Sequence, residues 1–193
     1  MQFTVASLIA LAAGASALPH VARQDGAKVG VATPFTVQAS GVDVQFPFFY
    51  ANHGGFALND LDSSATCVNA ARSSSAATFT LDDQGNMYLY ATQPPVQHTW
   101  VDRSGMGQGI FGWSSAGLAG PRNGERTAWQ IDDNNVLTFN GAGFIACPNS
   151  VDASWKVWVS AGNSQPGGSS GCVPITATAI AAAEPNDCSY SDN

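Results

Sequence analysis

The sequence predicts an all-β fold, a single compact antiparallel β-barrel or sandwich stapled by disulfides, of which a β-trefoil-like barrel is one form. Short runs in which apolar and polar residues alternate recur along the chain, and turns rich in Gly, Asn and Asp separate them. This period of two is typical of half-buried strands. No stretch of twelve residues carries the apolar stripe of a helix.

The strands follow one another closely from Phe35 onward. The predicted strands cover residues 35–39, 42–48, 56–58, 78–81, 87–90, 98–101, 109–113, 129–131, 136–139, 143–146, 155–159 and 173–179. Two of the hairpins, Thr78–Ala91 and Ala128–Asn140, share the same plan, with an Asp-Asp pair opening each turn. The Gly- and Ser-rich segment Ser160–Gly171 is predicted to be a loop.

The amino-terminal residues are predicted to be a secretion signal. Residues 1–17 contain a short apolar core and end in Ala15-Ser16-Ala17, the small-residue pattern of a signal-peptidase site. Residues 18–33 show no period and are expected to be a short leader or flexible arm, followed by a single β domain at 34–193. No later run has the eighteen apolar residues that a membrane span requires, so no membrane partner is expected.

Few residues carry charge. Only 11% of the chain is charged, and the formal net charge is −7. A phosphate backbone or an anionic membrane needs clustered Lys and Arg, and the sequence has no such cluster. We therefore expect no nucleic-acid partner.

The four cysteines predict two disulfides. Cys67, Cys147, Cys172 and Cys188 form an even set in a secreted chain, and four cysteines allow three connectivities. We favour Cys67–Cys147 and Cys172–Cys188, since the second bridge closes a short loop. Without close cysteine pairs or a cluster of histidines and acids, no metal site and no cofactor are expected.

Three patterns resemble catalytic motifs but have a simpler interpretation. Gly107–Gly112 fits a dinucleotide-binding spacing, but no helix is expected after it. Gly167–Gly171 fits a nucleophile elbow, but no histidine follows it in the chain. The Asp pairs at 82/83 and 132/133 lie in predicted turns, where Asp is structurally favoured. No catalytic residue is assigned, and the protein is expected not to be an enzyme.

The aromatic residues allow one binding hypothesis. Such residues most often fill a β-core. An exposed ring can instead stack against the apolar face of a sugar, and the candidates for such a face are Trp100, Trp113, Tyr88 and Tyr90. A carbohydrate-binding module is therefore the alternative function.

Several segments taken together resemble the fungal cell wall protein PhiA family, which includes IgE-binding proteins and secreted elicitors of the plant hypersensitive response. In chain order these segments are 97–105 (QHTWVDRSG), 137–141 (LTFNG), 146–148 (ACP), 155–159 (WKVWV) and 185–190 (PNDCSY). The resemblance covers roughly Phe35 to Tyr190. Unlike the paired cysteines expected in the first half of family members, Cys67 stands alone there.

The resemblance implies a secreted, non-enzymatic protein of the fungal wall, with a role in the development of spore-bearing cells. The implied partners are wall polysaccharide or wall proteins, and also host immune receptors or IgE. The family has no established active site, so the resemblance transfers no catalytic residue to this chain.

Overall fold

The computed structural model describes residues 27–60, 65–69, 76–149 and 153–191. The signal peptide expected at 1–17 lies outside these residues, as does the first part of the leader expected at 18–33. No helix among the described residues is long and apolar enough to cross a membrane. The strands are β1 Phe35–Ser40, β2 Tyr50–Asn52, β3 Gly55–Leu58, β4 Ala65–Cys67, β5 Phe79–Leu81, β6 Met87–Leu89, β7 Gln97–Asp102, β8 Ile110–Ser115, β9 Trp129–Ile131, β10 Leu137–Phe139, β11 Phe144–Pro148, β12 Trp155–Val159, β13 Val173–Ala181 and β14 Cys188–Tyr190.

Nine of the strands close into an antiparallel barrel, which confirms the predicted fold class. The order around the barrel is β11, β13, β1, β5, β6, β7, β8, β3 and β12, and β12 pairs back onto β11. β2 pairs with β3 at the margin of the sheet. Closure pairs the strands all round the ring, which leaves few open edges for unwanted pairing with other chains.

Aromatic rings fill the interior of the barrel. Alternate residues of each strand point inward, as Phe35, Val37 and Ala39 do in β1. Closely spaced ring pairs, with the distance between centroids, are Phe56 and Phe111 at 4.1 Å, Trp129 and Phe139 at 4.8 Å, and Phe49 and Phe144 at 5.5 Å. Burial of each such side chain stabilises the fold by about 1.5–3 kcal/mol, so these rings dominate its stability.

Two small sheets pack onto this aromatic core. The β9–β10 hairpin inserts Trp129 against Phe111 near the beginning of β8, with the ring centroids 5.0 Å apart. The β4–β14 pair places Tyr190 against Trp113, nearer the end of β8, at 6.0 Å. Strands that are not part of the barrel wall therefore complete the core.

A buried glutamine holds the carboxy-terminal strand. The Gln97 side chain donates to the Tyr190 carbonyl at 2.7 Å and accepts from the Tyr190 N–H at 2.9 Å, as a neighbouring strand would. Nearby, the Asn186 N–H donates to the Thr78 hydroxyl at 3.0 Å, and Asp187 accepts from the Thr92 N–H at 2.9 Å. The buried Gln97 amide and the Thr78 hydroxyl are thus paired, which their removal from water requires.

The prediction of a strand at 42–48 is wrong. In place of a second long strand, the chain makes an isolated bridge at Phe48, and regular pairing resumes only at β2. Pro47 lies within this run and has no N–H to donate to a ladder. The three-residue strands β2, β4 and β14 were not predicted.

The favoured disulfide pairing is also wrong, although all four cysteines are oxidised. The bridges are Cys67–Cys188 and Cys147–Cys172. Cys67 and Cys188 are directly opposite each other in the β4–β14 pair. Cys147 lies on β11, and its bridge ties the loop after β12 to the barrel wall. The long-range strand pairing decides the connectivity, and spacing along the sequence does not reveal it.

The two bridges should contribute unequally to stability. Cys67–Cys188 spans 121 residues and Cys147–Cys172 spans 25. In the chain-entropy account the longer loop stabilises by about 1 kcal/mol more. We expect the C67A/C188A variant to lose more free energy of unfolding in urea than C147A/C172A does. An equal loss, or a larger loss for C147A/C172A, would contradict the chain-entropy account of these two bridges.

Candidate functional site

The outer face of β6, β7 and β8 carries a row of partly exposed polar and aromatic side chains. In β7 the residues Gln97, Thr99 and Val101 are buried, so His98 and Trp100 point away from the core. Tyr88 on β6 pairs directly with His98 and shares this outward face. We call Tyr88, His98, Trp100 and the nearby Arg126 the outer aromatic face.

Trp100 lies over glycine. Its partner across the β7–β8 pair is Gly112. A Cβ atom added at Gly112 would lie 2.8 Å from Cζ2 of Trp100 and 2.4 Å from the carbonyl oxygen of Gly54. At the other edge of the indole, a Cβ added at Gly120 would lie 3.4 Å from Cδ1. The ring therefore rests on bare backbone and has a fixed orientation, which is a known reason for glycine within a strand.

Polar groups lie on the same outer face as the Trp100 ring. The Tyr88 hydroxyl donates to Oδ2 of Asp82 at 3.0 Å, and the Tyr88 ring meets the His98 ring edge-on with centroids 4.4 Å apart. Arg126 donates to the Ser114 hydroxyl at 3.3 Å. Partial burial lowers the pKa of His98, and the Arg126 cation lowers it further, while Asp82 raises it. His98 is therefore neutral near neutral pH.

The four aromatic residues predicted for sugar binding do not lie together. Trp113 is only 3% exposed and packs in the core against Phe56 and Tyr190, so it has no face to offer a ligand. Tyr88 and Trp100 share the outer aromatic face. Tyr90 is partly exposed just beyond β6, and its N–H donates to the Thr78 carbonyl.

The carboxylates of the two Asp-Asp turns have structural roles. Oδ1 of Asp82 accepts from the N–H groups of Gln84 and Asn86 at 3.0 and 2.8 Å. Oδ1 of Asp132 accepts from the N–H groups two and four residues on at 2.9 and 2.7 Å. The two turns are the same device, an Asp side chain that holds the hairpin loop closed. A groove of about 580 Å³ lies between them.

Other carboxylates also form hydrogen bonds or ion pairs within the fold. Glu125 accepts hydrogen bonds from both Nε and Nη2 of Arg103, at 2.9 and 2.6 Å, and this ion pair lowers the pKa of Glu125. Burial raises the pKa of Asp82, but hydrogen bonds from Asn86, Tyr88 and Gln84 outweigh it and lower the pKa overall. Asp133 pairs with Lys28, which lowers its pKa too. None of these three carboxyls is held protonated as a general acid would be.

The glycines of the motif at Gly107–Gly112 serve packing. A Cβ atom at Gly107 would lie 2.2 Å from the Asp102 carboxyl carbon, and one at Gly109 would lie 1.9 Å from the Val159 carbonyl oxygen. The segment turns tightly and enters β8. It does not open a helix, which a dinucleotide site requires.

Comparison with known proteins identifies the family. The profile of the PhiA-like secreted proteins matches residues 35–191. The chain belongs to the PhiA-like family. The cell wall protein phiA of Aspergillus niger is 40% identical over 187 residues, covering 97% of this chain and 98% of its own. That of Emericella nidulans is 40% identical over 189 residues, covering 97% of both. No solved structure matches.

This PhiA-like protein is secreted and belongs to the fungal cell wall, as the resemblance implied. A further relative, the cell wall protein phiA of Aspergillus fumigatus, is 44% identical over 154 residues, 79% of this chain and 80% of its own. The segments that carry the resemblance are largely structural in this fold. Gln97, Cys188 and Tyr190 all belong to the bonded carboxy-terminal pair.

The sequence alone does not single out His98 or Arg126 as members of the site, and it presents Gly112 only as the last glycine of the Gly107–Gly112 motif. Strand alternation could have placed His98 beside Trp100, because both flank the buried Thr99. The positions of Arg126 and Gly112 depend on pairing between strands, which no local signal encodes.

Gly112→Ala tests whether glycine sets the position of Trp100. The new methyl group would collide with the Gly54 carbonyl and the indole, so we expect a loss of about 1–3 kcal/mol in the free energy of unfolding. The near-ultraviolet circular dichroism of the folded variant should also change. Gly105→Ala is the matched control, because nothing lies within 4 Å of its added Cβ. Identical behaviour of the two variants would refute the contact.

Proposed function

We propose that this PhiA-like protein acts without catalysis, as a wall component held by non-covalent contact with wall polysaccharide or other wall proteins. One observation supports this most strongly: the carboxylates of Asp82 and Asp132 accept structural hydrogen bonds, and those of Glu125 and Asp133 pair with cations. A hydrolase needs a carboxyl whose pKa is raised into the working range. The pKa values of Asp82, Glu125 and Asp133 are lowered instead.

The histidine on the outer aromatic face supports the same proposal. His98 contacts the Tyr88 ring, and within the described residues it forms no hydrogen bond to a carboxylate. A catalytic histidine is normally oriented by such a partner and placed beside a nucleophile. A role in the development of spore-bearing cells, and recognition by host immunity as an elicitor or IgE target, belong to this proposal through the family resemblance.

Asp132 and Asp133 provide a matched pair of carboxylates for a test. Asp132→Ala removes an acceptor of two backbone N–H groups, so we expect a loss of about 1–2 kcal/mol in the free energy of unfolding. Asp133→Ala removes only an exposed ion pair with Lys28 and should change stability little. Below their unfolding temperatures, both variants should remain in the wall fraction as the wild type does.

The same preparations test catalysis directly. Incubated with neutral β-glucan and with chitin, the wild-type protein should release no more reducing ends than heat-denatured protein does. Release by the wild type that a folded carboxylate variant loses would overturn the proposal in favour of an enzyme.

A further inference from the structure

Trp100 differs from the other tryptophans of the chain. Of the five, Trp113, Trp129 and Trp158 are buried, and Trp155 packs against the main hydrophobic cluster. Trp100 is partly exposed and packs against neither hydrophobic cluster of the described residues. Because this ring lies outside both hydrophobic clusters, core packing does not explain its position.

The Trp100 ring is also held in a fixed orientation before any ligand binds. Gly112 and Gly54 lie under it, and the loop 116–128 borders its Cδ1 edge at Gly120. Its indole nitrogen is shielded and bonds to no protein atom among the described residues. Trp100 is partly exposed, so part of the ring remains accessible to a ligand. A flat ring fixed in this way loses little conformational entropy when a ligand stacks on it.

The neighbouring groups offer both kinds of hydrogen bond. Arg126 bonds to the Ser114 hydroxyl and, in the part of the chain that the structure describes, to no carboxylate, so its other N–H groups can serve as donors. The Tyr88 hydroxyl donates its proton to Asp82, so its oxygen can still accept, and a neutral His98 ring carries one donor and one acceptor nitrogen. A ring flanked by donors and acceptors suits a ligand that is apolar on one face and has hydroxyls around its edge.

We propose that the outer aromatic face binds a pyranose ring of a neutral wall polysaccharide, stacked on Trp100 and hydrogen-bonded through Arg126 and His98. A neutral polymer fits because the net charge of −7 opposes approach by a polyanion. This inference rests on the proposed role at the wall and names the contact that would hold the protein there. Two polymers share the chemistry, a neutral β-glucan and chitin, and separate assays with each distinguish them.

Trp100→Ala should weaken binding. In pull-downs with insoluble β-glucan and chitin, we expect the apparent affinity of the folded W100A protein for the polymer that the wild type binds to fall by about tenfold or more, as for a central aromatic contact. Trp100→Phe, which keeps an aromatic ring and covers the case in which W100A does not fold, should fall by less. Trp155→Ala is the matched control, because Trp155 packs on the core: its stability should fall and its binding should not.

Arginine substitutions give a second, independent test of the binding site. Arg126→Ala should weaken binding several-fold, while Arg122→Ala, an exposed arginine four residues away on the same loop, should leave binding unchanged. Wild-type affinity in folded W100A and R126A would overturn the site. If the wild type bound neither polymer yet stayed in the wall fraction, this inference would fail and the non-catalytic wall role would stand. Hydrolysis of either polymer would refute that role and leave the binding result to be judged separately.

Discussion

Packing of aromatic rings inside the closed barrel is the interaction on which the rest of the structure depends. Phe49, Phe56, Phe111, Trp129 and Phe144 touch one another across strands that are far apart in sequence. They occupy the inward positions, so alternation forces the intervening residues outward. With so few charged residues, the outward positions are mainly small and uncharged. Against this background Trp100 stands out among the described tryptophans, because it packs against neither hydrophobic cluster.

The carboxy-terminal segment completes the core as a clasp. Tyr190 enters the core beside Trp113, Gln97 bonds to both backbone groups of Tyr190, and Cys188 is covalently tied to Cys67. The short strand β14 is therefore held by packing, by paired hydrogen bonds and by a disulfide at once. Two of the segments that carry the family resemblance, 97–105 and 185–190, meet here through Gln97 and Tyr190, although they lie far apart in sequence.

How far sequence alone could predict this molecule depends on which features are local. The hairpins around Asp82 and Asp132 were predictable, because an Asp side chain closes its own turn within four residues. Barrel closure, the insertion of β3 between β8 and β12 and the disulfide pairing were not, because they depend on contacts between distant strands. The aromatic candidates show the same division. Trp100 and Trp113 look alike in sequence, and only the pairing of β7 with β8 shows that one faces out and the other in.

The central claim is that the core and the ligand contact use separate tryptophans. It can be tested by NMR on protein labelled with ¹⁵N at tryptophan, which gives a separate indole signal for each of the five residues. During titration with a soluble neutral oligosaccharide from the bound polymer, the signal assigned to Trp100 through Trp100→Phe should shift most, and the signals of Trp113 and Trp129 should stay in place. Unchanged signals at saturating ligand, or shifts centred on a tryptophan other than Trp100, would contradict the account.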